Sequence, residues 1–405
     1  MRFCSLLDTR TNALPWALLL LNLAFLPSSA RAEEPSYRES LVFPLNPQHN
    51  HAPGIVECPN GDLFVSWYRG SGERTADDVA VFGARQRKGK NDWSETFLLV
   101  DTPGFPDCNT TMMIDARGRL WLFWPLILAN SWESCLTEYL VSSDYEKDGP
   151  PQWEWQGVIP LNPPRFEEKM TRTLDELGSK REGELVREKA FDAHVRKTLK
   201  EKISHRLGWQ PRCKPTVLPS GRILLPLYTD AYSVSLMAIS DDDGRTWYAS
   251  EPICGFGNIQ PTVLRKNDGT LVAYMRENGP LNKIRTSESQ DSGETWGPVG
   301  TMDLPNPGAG IDGVRLANGH WLLVYNDTVK GRNSLAASIS EDEGRTWPIT
   351  RHLEKHEDGS YHYPAVIQGA DGTIHFIYSY FVKGGKSMKH VATNEAWIRA
   401  GDAAK

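Results

Sequence analysis

A few side chains with the chemistry of an active site recur beside apolar runs, far apart in the chain: His51, Arg69, Arg276, Arg332 and Tyr363. Arginine carries a planar fork suited to two-point capture of a carboxylate. Histidine transfers protons near neutral pH, and a tyrosine oxygen serves as nucleophile or proton donor once a neighbour activates it. Acidic groups occupy similar positions. Asp77 and Asp78 close the segment RGSGERTADD, with Glu73 inside it, and Asp312 lies in GAGIDGV. Gln260, in NIQPTV, adds an amide, and His49, Asp230 and His362 share the same kind of setting. Such a set could hold an anion and move protons beside it. Most of the chain separates its members, so the fold must return to one place many times.

The sequence contains that return. An apolar run, a Gly turn and a second apolar run rich in aromatics occur six times, with turn glycines Gly61, Gly118, Gly221, Gly269, Gly319 and Gly372. Asn-Gly, Asp-Gly and Ser-Gly turns between β-branched and aromatic runs read as hairpins. A second phrase keeps step with the first: SDDDGRTW from Ser240, SQDSGETW from Ser289 and SEDEGRTW from Ser340. Worn versions, RKGKNDWS and SSDYEKDGPPQW, follow the first two hairpins. Each phrase sits between two further strand-like runs, so one unit is four strands. Four-stranded units repeated at a fixed period predict a β-propeller, here all-β and six-bladed. Blade six runs out after three strands, and YRESLVFP near residue 37 is expected to supply its fourth and close the ring. Within the phrase, the Asp accepts hydrogen bonds from its own turn, the Gly takes positive φ and the Trp packs on the blade. Asp242, Asp291 and Asp342 are therefore expected to be turn braces.

Composition sets the remaining bounds. The 405 residues carry a net charge of -6, without the basic surface that nucleic acid requires. Arg2 and Arg10, the apolar run ALPWALLLLNLAFL and Ala30-Arg31-Ala32 have the order of a secretory leader. Residues 1–32 are thus expected to be a signal peptide, and 33–405 an exported chain, secreted or periplasmic, without a later membrane span. Beyond the leader stand Cys58, Cys108, Cys135, Cys213 and Cys254. Their spacing fits no zinc motif, and buried thiols are the expectation, a Cys108–Cys135 bridge being the alternative. One segment, 163–209, breaks the repeat between blades two and three. It is charged and rich in helix formers, with Phe191, Val195, Leu199 and Ile203 four apart, which predicts an amphipathic helical insertion. It is either a solvated decoration or a lid or subunit contact.

Strand direction alternates in an antiparallel blade. Residues before each first strand and after each second strand therefore share one face, with the acidic phrases on the other. The candidate side chains fall on the first face. The three phrases are the Asp-box, or BNR, signature, and with six blades the chain resembles the sialidase superfamily over nearly its whole mature length. That resemblance implies three arginines on a substrate carboxylate, a tyrosine nucleophile activated by a glutamate, and an aspartate as acid and base. YMREN matches the segment of one clamp arginine, Arg276. GRNSLAASIS matches another, Arg332, and YHYPAVIQGADG matches the nucleophile segment, Tyr363. Asp77 or Asp78 would be the acid/base, with Glu73 a further candidate. Two positions depart from the pattern. His51 stands where a clamp arginine is expected, and Gln260 stands where the activating glutamate is expected; an amide cannot take the tyrosine's proton.

An anion-ready pocket remains, with Arg69, Gln260 and Asp312 as further substrate-binding candidates and His51 as a proton-transfer group. Three functions fit it: a sialidase-like glycoside hydrolase acting on an acidic or substituted glycan, a uronate polysaccharide lyase, or a glycan-binding propeller without turnover. The expected partner is a glycan or oligosaccharide. No cofactor and no metal is expected, since no ligand spacing or phosphate-cradling loop is present.

Overall fold

The computed structural model describes residues 33–179 and 189–402, and Glu34–Lys405 forms one compact unit. The leader expected over residues 1–32 lies outside the described residues. Six antiparallel sheets build the unit. Blade one comprises His49–Glu57, Leu63–Gly70, Ala80–Gln86 and Phe97–Val100; blade two comprises Thr111–Ile114, Leu120–Ile127, Cys135–Ser142 and Trp155–Val158. In blade three, Gln210–Pro211 and Thr216–Val217 both pair with Ile223–Thr229, followed by Val234–Ser240 and Tyr248–Ala249. Blade four runs Asn258–Arg265, Leu271–Glu277, Lys283–Ser289 and Gly300–Pro305. Blade five runs Asp312–Arg315, Trp321–Tyr325, Ser334–Ser340 and Ile349–Lys355. Blade six has Ser360–Gln368, Ile374–Val382 and Gly385–Thr393, and its outer strand is Tyr37–Leu41, in register from Tyr37 opposite Thr393 to Leu41 opposite Lys389. The ring closes as the sequence predicts. An unpaired outer edge on blade six would otherwise be a template for other chains.

The core lies between the blades. Each neighbouring pair of blades shares a buried apolar cluster, such as Trp121, Phe123 and Tyr139 with Leu225 and Leu236 between blades two and three, and a smaller cluster with Ala52, Tyr68 and Cys108 packs against Tyr363. The Asp-box turns seal the far side. Asp242 accepts from Thr246 N–H at 2.9 Å and Thr246 Oγ1 at 2.6 Å, and Asp291 and Asp342 repeat the pattern. The Thr246 bonds hold the Asp242 carboxyl down at about 2. All three aspartates are turn braces, as expected.

The insertion forms helices Phe166–Ser179, Lys189–Thr198 and Lys202–Arg206. Phe166, Met170, Leu174, Val195 and Leu199 pack into the cluster between blades two and three, so much of this segment is core and not a solvated decoration. The expected face does not extend to Ile203, which is 63% exposed. The helix stops at Thr198, and Ile203 belongs to a new one with a different phase. The side chain of Phe191 lies outside the described residues. The five cysteines among the described residues are free thiols, Cys108 and Cys135 buried among them. Among the described residues, no helix is long and apolar enough to cross a membrane.

Candidate functional site

Three innermost strands break register at matching places: between His51 and Gly54, Ile259 and Thr262, and His362 and Ala365. At each break a residue with positive φ precedes a proline: Ala52 at 52°, Gln260 at 54° and Tyr363 at 50°. Proline cannot donate to the ladder, and a bulge re-aims neighbouring side chains. The left-handed backbone costs energy at a non-glycine residue, and such strain gathers at functional sites. These bulges turn Gln260 and Tyr363 into a shared mouth.

Tyr363 is its centre. The phenol oxygen accepts from Arg276 Nη1 at 3.1 Å and from Gln260 Nε2 at 3.1 Å. His51 stacks on the ring, centroids 4.3 Å apart and planes 20° apart. The guanidinium carbons of Arg212 and Arg332 lie 4.9 and 5.8 Å from the ring centre. Gly310 makes room: a Cβ there would meet Tyr363 Cδ1 at 2.8 Å and Gln260 Oε1 at 3.0 Å.

Each member is anchored. Arg332 donates to the Gly308 carbonyl and to His362 Nδ1, both at 2.7 Å, while His362 Nε2 meets Ser360 Oγ at 2.7 Å. Burial and the Arg332 charge push His362 down to about 3, so it is neutral at physiological pH. Burial, with His362 and His49 nearby, likewise holds His51 well below its usual value. Gln260 Nε2 also donates to Tyr228 Oη at 3.0 Å, so the amide faces two phenols as a donor. From Tyr228 the chain of bonds continues through Asn109 and Gln210 to Asp230, whose carboxyl is pushed up by burial. A carboxyl held toward its protonated form is a candidate acid.

Not every sequence candidate reaches this mouth. Arg69 stacks over Phe43 and Phe82, at 4.7 and 4.8 Å, and donates to Asn50 Oδ1. Asp78 accepts from Ser71 N and Oγ and so closes its own loop, and Asp77 accepts from Asn130 Nδ2; both aspartates are exposed. Glu73, from the same loop, instead pairs with His49 Nε2 at 3.0 Å and accepts from Tyr68 Oη at 3.0 Å. Asp312 is fully buried and ties Lys214, Thr262 and the Val366 N–H together, bracing four blades. Arg212, Tyr228 and Gly310 were missed. Arg212 lies between the two short pieces of blade three's broken first strand, and only its register with the proline-marked bulges could have signalled it.

No metal was expected from the sequence spacing, but the fold groups His49, His51 and Glu73 with ligand atoms all within 4.8 Å of one another.

The BNR repeat-like domain family matches residues 198–376. No curated protein matches the chain. Solved structures share the fold at low identity. A Dyadobacter fermentans protein of unknown function superposes with a TM-score of 0.65 at 17% identity, covering 88% of this chain and 99% of its own. The NanB sialidase of Streptococcus pneumoniae gives 0.66 at 12% identity, covering 89% of this chain and 71% of its own. The leech intramolecular trans-sialidase, solved with 2,7-anhydro-Neu5Ac, gives 0.64 at 12%, with coverages of 87% and 69%.

Proposed function

We propose that this sialidase-like BNR-repeat propeller binds a glycan by the carboxylate of an acidic sugar and cleaves the glycosidic bond beside it. The observation that carries this reading is the convergence of Arg276 and Arg332, from different blades, on the ring and oxygen of Tyr363. Two guanidinium groups at one mouth neutralise a carboxylate and hold it in a fixed direction. Hydrolysis of the sialidase-like type is the first reading, supported by the shared fold and the placement of Tyr363 against the arginines.

A second reading, β-elimination from a uronate, is favoured by one specific feature. Both groups bonded to the Tyr363 oxygen are donors, and the buried imidazole stacked on its ring is neutral. In that reaction a neutral base removes the proton α to the arginine-bound carboxylate. The bond to the leaving oxygen breaks as the carbon–carbon double bond forms, and the leaving oxygen takes up a proton.

The test is incubation of the purified chain with sialosides and uronate oligosaccharides, with products followed by mass. Hydrolysis adds one water across the cleaved bond; elimination leaves an unsaturated, ultraviolet-absorbing sugar. Tyr363→Phe is expected to lower turnover by about 100-fold or more. Arg332→Ala should weaken binding by about tenfold or more. Failure to cleave or to bind any acidic glycan in the panel would defeat the proposal. Export is part of the same reading, and a mature N-terminus near Glu33 in the extracellular or periplasmic fraction is the expected result.

A further inference from the structure

We propose that His49, His51 and Glu73 bind one divalent transition-metal ion at the wall of the mouth, with zinc best suited to the set. His49 and His51 are two apart on one strand, so their side chains lie on the same face, and the loop after the next strand folds Glu73 back over them. Two imidazoles and a carboxylate form a zinc-type donor set that leaves a coordination position open.

The distances suit it. His49 Nε2 and Glu73 Oε1 stand 3.0 Å apart, comparable to the edge between two ligands each about 2.1 Å from a shared ion. All three ligand atoms fall within 4.8 Å of one another, so small side-chain rotations close the set. The supporting groups are those a metal site uses. Ser379 Oγ holds His51 Nδ1 at 2.8 Å, and among the described residues nothing hydrogen-bonds its Nε2. Tyr68 Oη donates to the Glu73 carboxylate at 3.0 Å and fixes its direction. Partners of this kind orient metal ligands. The His49 and Glu73 side chains are 18% and 33% exposed, so an ion can reach them from solvent. His51 is held by Ser379 and by stacking on Tyr363, and it bonds to neither His49 nor Glu73.

The role of the ion rests on the proposed function. His51 stands where the sialidase resemblance places a clamp arginine. A dication there would restore the third positive charge facing the sugar carboxylate, beside Arg276 and Arg332.

The test uses the intact chain, stripped by chelator and dialysed against zinc, with bound metal measured by elemental analysis and cobalt substitution read by visible absorption. The expected result is one ion per chain and a cobalt spectrum of low coordination number. Glu73→Gln and His49→Gln should each weaken binding by about tenfold or more, with circular dichroism unchanged. Absence of stoichiometric binding overturns the site, and so does binding that both variants retain. Stoichiometric zinc without glycan cleavage leaves the site standing and defeats only the proposed reaction. Cleavage by a chain that binds no zinc defeats only the site.

Discussion

Gln260 is the residue on which the chemistry turns. It is 1% exposed, and its amide donates to both Tyr228 and Tyr363. A carboxylate in its place would accept from those phenols and lie beside Arg276, whose Nη1 approaches the amide oxygen at 3.5 Å. Tyr363 would then have the base that a nucleophilic role demands. Gln260→Glu is therefore expected to raise hydrolytic turnover by about tenfold or more, measured as initial rates on sialosides. A folded variant with lost activity would mean that Tyr363 works with donors at its oxygen, as elimination requires.

At the scale of elements, the blades depend on turns that tolerate no side chain. Gly244 has φ +82°, and a Cβ there would lie 2.2 Å from Trp121 Cη2 of the preceding blade. The Asp-box turn is therefore a tenon fitted under the neighbouring hairpin, and Arg119 reinforces it by donating to the Asp243 carbonyl at 3.0 Å. Gly244→Ala combines overpacking with a backbone conformation that alanine disfavours. It is expected to cost about 1–3 kcal/mol or more, read as a lower midpoint in urea unfolding. Activity per folded molecule should be unchanged, because the turn lies on the face opposite Tyr363.

For the molecule as a whole, acid sensitivity follows from buried imidazoles. Burial holds His362 at about 3 and His375 at about 4, and burial with the neighbouring His375 holds His390 at about 3; His51 is also well below 6.5. Between those values and 6.5 the unfolded chain binds more protons than the folded one, so stability is complete above pH 6.5 and falls as pH drops. Asp107, pushed up to about 6 by burial, acts in the opposite direction, as do Asp230 and Glu138, also pushed up by burial, but the four histidines oppose them. Asp242 and Asp342, held at about 2, lose their contribution as pH falls from 3.8 toward 2, below the comparison of pH 7.5 with pH 5. The unfolding midpoint is expected to be clearly lower at pH 5 than at pH 7.5. Equal midpoints would show that these rings are hydrated and titrate normally.

The sequence alone determined the six blades, the closing strand and the structural duty of the Asp-box aspartates. Each is written in local turn chemistry repeated at a fixed period, which needs no knowledge of distant neighbours. It also named Arg276, Arg332, Tyr363, His51 and Gln260, through segments that resemble a known pattern. Only the tertiary structure decided who meets whom. Arg212 reaches Tyr363 and bonds the Pro364 carbonyl from 152 residues away, and Asp312 and Arg69 are spent on the scaffold. Glu73 and Asp78 share one short loop, yet one turns to His49 and the other to Ser71. Side-chain direction at the axis is set by how six sheets pack and where their inner strands bulge, a property of the closed ring that no single segment carries.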